Sequence, residues 1–154
     1  LLSRGSEVRI LFGRPQQQAS DMEEVTRVVP EHKHLIIRAE VNNPPKDKSW
    51  VTQWMTRLVD KIGMTICMGP VTAYVDVPGN CGVTGVVIIE TSHIAIHVWD
   101  EPSPALIQLD VYTCGPFNKE DIFEELEQFE PTKLEWKFLD REHGLEEVET
   151  QYAN

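Results

Sequence analysis

Apolar residues recur along this chain with two different periods, which predict a protein built from strands and helices. Over residues 92–99, Ile94, Ile96 and Val98 alternate with polar or aromatic residues, and this period of two is typical of a strand with two unlike faces. A nearly continuous β-branched run at 83–89 predicts a central strand buried on both faces. The remaining predicted strands cover residues 34–41, 64–68, 71–77, 105–113 and 133–139.

Two segments repeat their apolar residues at helical spacing. The first begins at Asp47 or Ser49, either of which is a good N-cap, and Gly63 ends it as a C-cap glycine does. The second begins at the capping residue Asn118 and ends before Pro131. The apolar positions that define these helices are Trp50, Val51, Trp54, Met55, Leu58, Val59 and Ile62 in the first and Ile122, Phe123, Leu126 and Phe129 in the second.

The order of these elements predicts the fold class. Consecutive strands are joined by short turns, so the sheet should be mainly antiparallel, with both helices on one face. This is an α+β, two-layer sandwich. Such an arrangement leaves one sheet face open, and a homodimer is the simplest way to cover that face.

The ends of the chain are predicted to differ from its centre. Residues 1–30 carry a glutamine run and scattered charges without periodicity, so we expect an N-terminal extension followed by a single domain over residues 31–154. The acidic tail from Glu142 onward is expected to face solvent. No apolar run approaches the roughly 20 residues of a membrane span, and no signal peptide is expected. The chain starts at Leu1 rather than Met, which suggests a fragment or an altered start.

Charge and cysteine content narrow the classes of function. A formal net charge of −11 argues against binding to nucleic acid or to an anionic membrane, and an acidic surface attracts cationic ligands. The three cysteines, Cys67, Cys81 and Cys114, are scattered and form no CxxC pair, so neither a zinc site nor a redox pair is indicated. We expect a reduced, cytoplasmic protein.

Residue types that can take part in catalysis, namely Ser, His and Cys, are concentrated at residues 91–99 and 110–115. His93 and His97 would share a helical face, but on a strand they lie about 13 Å apart, which is too far for one metal ion, so no metal site is predicted. Ser92 and His97 differ by five positions, so they point to opposite faces of a regular strand roughly 16 Å apart. A reaction between them would need the His of a second subunit or a break in the strand.

These motifs, in this order and spacing, resemble a known family. Gly-Val-Thr-Gly-Val-Val-Ile-Ile at 82–89, Ser-His-x-x-x-His-x-Trp at 92–99 and Asp-x-Tyr-Thr-Cys-Gly at 110–115 are similar to the bacterial-type S-adenosylmethionine decarboxylase proenzymes. The resemblance runs from His34 to about His143. It implies a self-processing, pyruvoyl-dependent decarboxylase of S-adenosylmethionine that supplies polyamine biosynthesis and works as a homodimer with composite active sites.

The resemblance also implies roles for particular residues. The backbone would be cut at Thr91–Ser92, and Ser92 would become the pyruvoyl cofactor. His97 matches the processing His, and Thr84 stands where the family carries a hydroxyl. Cys114 matches the residue that protonates the carbanion left after CO₂ is lost.

Departures from the family pattern keep two alternatives open. Thr91 replaces the Glu that precedes the scissile bond, and its β-branch crowds the carbonyl to be attacked. Arg38 and Ala39 replace acidic and aromatic residues, with Glu40 beyond them, and Tyr74 is the residue of its loop that could stack on adenine as a family aromatic does. The candidate substrate-binding residues are Glu40, Tyr74 and Glu101. The alternatives are a same-fold pyruvoyl decarboxylase of another amino acid, and a non-processing relative that binds ligand or pairs with an active paralogue.

Overall fold

The computed structural model describes residues 31–151, so the extension predicted over residues 1–30 lies outside them. Strands and helices follow the predicted order along this range, except that the strands predicted over residues 64–68 and 71–77 form one strand and a seventh strand follows the last predicted one. The strands are β1 (Lys33–Val41), β2 (Ile66–Val75), β3 (Gly82–Ile89), β4 (Ser92–Trp99), β5 (Ala105–Thr113), β6 (Pro131–Asp140) and β7 (Glu147–Gln151), and the helices are α1 (Lys48–Lys61) and α2 (Lys119–Leu126).

All seven strands form one antiparallel sheet in the order β2-β3-β4-β5-β1-β6-β7. The centre of the sheet is therefore built from β4, β5 and β1. Both helices contribute buried side chains to a single core cluster with one face of the sheet. The α+β two-layer sandwich predicted from the sequence is confirmed.

The core lies between the helices and the sheet because alternate strand residues point towards the helices. Trp54 and Phe129 are among its largest buried side chains, and their rings lie 5.4 Å apart. The strand residues of the core are Leu35, Ile37, Ala39, Val41, Val83, Val87, Ile89, Ile94, Ile96, Val98, Ala105, Ile107, Leu109, Val111 and Trp136. Within residues 31–151 no helix covers the other face of the sheet, and we call it the open face.

One strand prediction is wrong in a way that matters. The β-branched run of β3 is not buried on both faces, because Val86 and Ile88 are 43% and 46% exposed on the open face. They belong to a row of exposed apolar side chains that continues across β2 through Val71 and Met68. A run of apolar residues is the same in a strand covered on both faces and in a strand that leaves one apolar face exposed, where another protein surface can bind.

The helix ends lie close to their predicted positions, and the structure contains one strand that was not predicted. The side chain of Asp47, rather than that of Ser49, accepts the capping hydrogen bond, from the backbone N of Trp50 at 2.7 Å. Gly63 follows α1 with a φ of +71°, as a C-cap glycine requires. The acidic tail is mostly exposed to solvent, as expected, and residues Glu147–Gln151 of it also form β7 on the edge of the sheet beside β6.

The Gly-Val-Thr-Gly motif is explained by close backbone approach. A Cβ on Gly82, which has a φ of +153°, would lie 1.8 Å from the carbonyl oxygen of Val98. A Cβ on Gly85 would lie 2.9 Å from Met55 of α1. These glycines allow β3 to pack tightly against β4 and α1, and so fix the hairpin that carries the candidate site.

We expect Gly82→Ala to lower the free energy of unfolding by about 3 kcal/mol, because the new Cβ collides with backbone rather than with a flexible side chain. Gly79→Ala is the matched control: its φ is also positive, at +83°, but nothing lies near its Cβ. The control should lose only about 1 kcal/mol. Chemical denaturation of both variants, in chains carrying Ser92→Ala so that backbone cleavage does not intervene, measures the difference. Equal losses would contradict the packing role of Gly82.

Candidate functional site

The β3–β4 hairpin brings the predicted scissile bond to a tight corner. Ile89 pairs with Ser92, so Glu90 and Thr91 alone form the turn. Thr91 has a φ of +52°, a left-handed conformation that β-branched residues rarely adopt. Ser92 is 7% exposed, and its Oγ donates a hydrogen bond of 3.0 Å to the carbonyl oxygen of Glu90.

Cys114 reaches the same carbonyl from a different strand. It directly follows β5, and its Sγ donates to the carbonyl oxygen of Glu90 at 2.8 Å. The backbone N of Glu90 donates in turn to the carbonyl oxygen of Thr65 at 3.1 Å. The structure therefore brings Ser92 and Cys114, which are 22 positions apart in the chain, onto one shared acceptor.

Thr84 and His97 form a second pair on the open face. They face each other across β3 and β4, and Oγ1 of Thr84 lies 2.7 Å from Nδ1 of His97. Ser92 is buried on the helix side of the same strand, as the period of two predicts. The four predicted catalytic residues thus form two pairs, separated by roughly 16 Å along β4.

Sequence reasoning missed a cluster of ionisable and aromatic side chains near the Ser92 end of the open face. His34, Tyr112 and His93 lie side by side on β1, β5 and β4, with ring centroids 5.6 to 6.5 Å apart. Arg141 places its guanidinium 4.1 Å from the centre of the Tyr112 ring. The period-two pattern of these strands was the available signal, because it puts all three rings on the polar face.

The hydrogen bonds of His34 orient this cluster. Arg141 has no acceptor, so its contact of 3.4 Å makes Nδ1 of His34 the acceptor. Nε2 of His34 then donates to the carboxylate of Asp110 at 2.7 Å. This hydrogen bond holds the pKa of Asp110 below its ordinary value, against the opposing effect of partial burial.

The candidate substrate-binding residues lie towards the other end of the strands. Trp99, Leu106 and Glu40 occupy adjacent positions across β4, β5 and β1. A cleft of about 580 Å³ opens beside Trp99 and Leu106 and is also lined by Glu101. The carboxylate of Glu101 accepts a hydrogen bond from the backbone N of Cys81. Trp99 and the cleft are roughly 23 Å from Ser92 along the strand, so the cleft and Ser92 are far apart within one protomer.

Tyr74 does not lie with these residues on the open face. It pairs with Val83, a buried residue of the helix-side core, and its hydroxyl donates to the carboxylate of Asp100 at 3.1 Å. Glu40 is on the open face but bonds to Arg38, which also contacts Glu135. Of the three candidate substrate-binding residues, Glu101 alone lines the cleft beside Trp99.

Residues 31–151 show neither a metal-binding cluster nor a membrane-spanning helix. No group of three or more His, Cys, Asp or Glu side chains in this range is arranged to hold a metal ion. None of the helices in the same range is long and apolar enough to cross a membrane.

The fold and site define the class of protein to which the chain is similar. The solved structure of the adenosylmethionine decarboxylase from Aquifex aeolicus superposes with a TM-score of 0.58 at 25% identity, covering 81% of this chain and 100% of that one. Residues 33–142 match the family model for S-adenosylmethionine decarboxylase. The chain belongs to the S-adenosylmethionine decarboxylase family.

Individual relatives match part of the chain. The S-adenosylmethionine decarboxylase proenzyme of Archaeoglobus fulgidus is 45% identical over 62 residues, which are 39% of this chain and 54% of that protein. The proenzyme of Methanococcus maripaludis is 48% identical over 66 residues, which are 42% of this chain and 51% of that protein. The chain therefore spans about half the length of the curated relatives it matches.

Proposed function

We propose that this chain is a self-processing decarboxylase of S-adenosylmethionine whose cofactor is a pyruvoyl group made from Ser92. The observation that carries the proposal is the convergence of Ser92 and Cys114 on the carbonyl of Glu90, beside the Thr91–Ser92 bond. The nucleophile of processing and the proton donor of catalysis would thus meet at one corner of the sheet. Family membership over residues 33–142 supports the same reading.

The residues at the corner fit the precursor of such a cofactor. A pyruvoyl group arises from a Ser whose hydroxyl can attack the preceding carbonyl, and Ser92 follows the turn directly and is shielded from solvent. Once formed, the group supplies an electron sink for the loss of CO₂ from a bound amine. Cys114 stands one residue away, at the carbonyl of Glu90. A thiol, with an unperturbed pKa of about 8.5, is a suitable proton donor near neutral pH.

The separation of the two pairs supports a composite site. Because His97 and Ser92 of one chain lie roughly 16 Å apart along β4, His97 would act at the exposed Glu90–Thr91 corner of a second copy. The exposed apolar residues Val71, Val86 and Ile88 offer that copy a surface on the open face. An antiparallel pairing of two open faces would also bring the cleft beside Trp99 towards the Ser92 end of the other chain.

Charge supports a cationic substrate. The chain carries a formal net charge of −11, and Glu101 lines the cleft beside Trp99. A sulfonium is attracted by such a field, and an aromatic ring next to a carboxylate suits a nucleoside with a positive charge nearby. The relatives described above are S-adenosylmethionine decarboxylase proenzymes, so neither alternative left open by the sequence is favoured.

Ser92→Ala tests the proposal as a whole. The wild-type chain should appear as two fragments on a denaturing gel and release labelled CO₂ from carboxyl-labelled S-adenosylmethionine. The variant lacks the attacking hydroxyl and should stay in one piece and release none. Thermal unfolding of the variant controls for a loss of fold. Cleavage or CO₂ release that persists in Ser92→Ala would rule out Ser92 as the source of the cofactor.

Cys114→Ser separates processing from turnover. The new hydroxyl can still donate to the carbonyl of Glu90, so we expect backbone cleavage to continue. A hydroxyl is a much weaker acid than a thiol, so CO₂ release by the cleaved variant should fall by roughly 100-fold or more. The assays are the denaturing gel and CO₂ release per cleaved chain. Turnover equal to that of the wild type would remove Cys114 as the proton donor.

A mixture of two inactive chains tests the composite site. We expect His97→Ala to remain uncut alone and to be cut when co-expressed with a differently tagged Ser92→Ala chain, which supplies the missing His97. The control partner carries both substitutions and should restore nothing. A His97→Ala chain that cuts itself alone would show that His97 is not needed. A chain that stays uncut beside Ser92→Ala, while the wild type cuts, would show that His97 acts within its own chain.

A further inference from the structure

Thr91 holds a backbone conformation that its side chain disfavours. Three non-glycine residues between 31 and 151 have a positive φ, namely Thr91, Glu130 and Leu145, and Thr91 is the β-branched one. It is the second corner residue of a two-residue turn whose first corner, Glu90, has no positive φ. A positive φ at the second corner alone is the pattern of a type II turn, where Gly or Asn is favoured. A β-branched side chain is therefore strained at this position.

The surroundings prevent the turn from relaxing. Glu90 is fixed on both sides, because its N donates to the carbonyl of Thr65 and its own carbonyl accepts hydrogen bonds from Ser92 and Cys114. The strands on either side of the turn are held by the pairing of Ile89 with Ser92, and both of these side chains are buried. Strained backbone persists only where the surrounding structure over-determines it in this way.

We propose that the strain at Thr91 drives the first step of self-processing, so that a residue which crowds the carbonyl also favours its cleavage. The inference rests on the proposed conversion of Ser92. The Oγ of Ser92 forms a bond to the carbonyl carbon of Thr91, the C–N bond between the two residues breaks, and the hydroxyl proton ends on the freed amine. No atom is gained or lost. The chain then runs through the side chain of Ser92, which lengthens the turn and lets Thr91 leave the left-handed region.

The later steps make this release irreversible. Loss of the Cα proton of Ser92 breaks the Cβ–O bond of the ester and frees the carboxylate of Thr91. Water then replaces the amine of the former Ser92, and ammonia leaves. Strain present in the peptide and absent from the ester raises the population of the ester, and strain of the usual size corresponds to roughly a 10-fold change in the rate of cleavage.

Two substitutions of Thr91 distinguish the effect of strain on the cleavage rate from the effect of crowding. Thr91→Gly removes the strain, because glycine adopts a positive φ freely, and it also uncrowds the carbonyl. If strain dominates, cleavage of this variant should be about 10-fold slower than in the wild type; if crowding dominates, it should be faster. Thr91→Val is the matched control, which keeps the β-branch and the strain and should cut at nearly the wild-type rate.

The rates are measured on full-length chains synthesised in a cell-free system, pulse-labelled and followed on denaturing gels. A second readout measures the strain itself: in Ser92→Ala chains, which cannot cut, Thr91→Gly should raise the denaturation midpoint and Thr91→Val should not. Cleavage of Thr91→Gly at or above the wild-type rate, or no rise in its midpoint, overturns the inference and leaves processing at Ser92 intact. A wild-type chain that never cuts overturns the proposed function itself, and this inference with it.

Discussion

The carbonyl oxygen of Glu90 is the contact on which the candidate site depends. It accepts a hydrogen bond from Ser92 within its own hairpin and another from Cys114 at the end of β5, so it joins three strands at one point. A carbonyl that accepts from two donors is held in place more firmly than one that accepts from a single donor. The position of Thr91, the shielding of Ser92 and the reach of Cys114 all follow from this shared acceptor.

The second constraint is the two-sided character of the sheet. The period of two that packs Ile94, Ile96 and Val98 against the helices puts His97 on the opposite face, and no adjustment within one regular strand can change that. The helices cover one face only, and the open face carries both the Thr84–His97 pair and a row of exposed apolar residues. The same pattern that builds the core therefore divides the predicted catalytic residues into two groups, and this division makes a second copy of the chain part of the proposed mechanism.

Much of the architecture could be predicted from the sequence, because it depends on patterns that are local. The caps of both helices and the opposite orientations of Ser92 and His97 follow from residue types and spacing. The exposure of Val86 and the strand formed by the acidic tail could not be predicted, since both depend on what lies beside an element rather than within it.

The candidate site could be predicted only in part, for the same reason. That Ser92 and Cys114 share an acceptor depends on the register of three strands, and the left-handed conformation of Thr91 contradicts its own local preference. The cluster around His34 was missed for a related reason: each of its members is ordinary alone, and only the sheet brings them together.

If the corner between Glu90 and Ser92 is a site of backbone cleavage, the second fragment must carry a pyruvoyl group at its N-terminus. The most direct measurement is the intact mass of freshly purified wild-type protein under denaturing conditions. We expect two fragments that meet between Thr91 and Ser92. The second should have a mass that corresponds to a pyruvoyl group in place of Ser92 and no amine for sequential degradation. A single uncut mass after prolonged incubation would contradict it, and so would a second fragment that still begins with an unmodified serine.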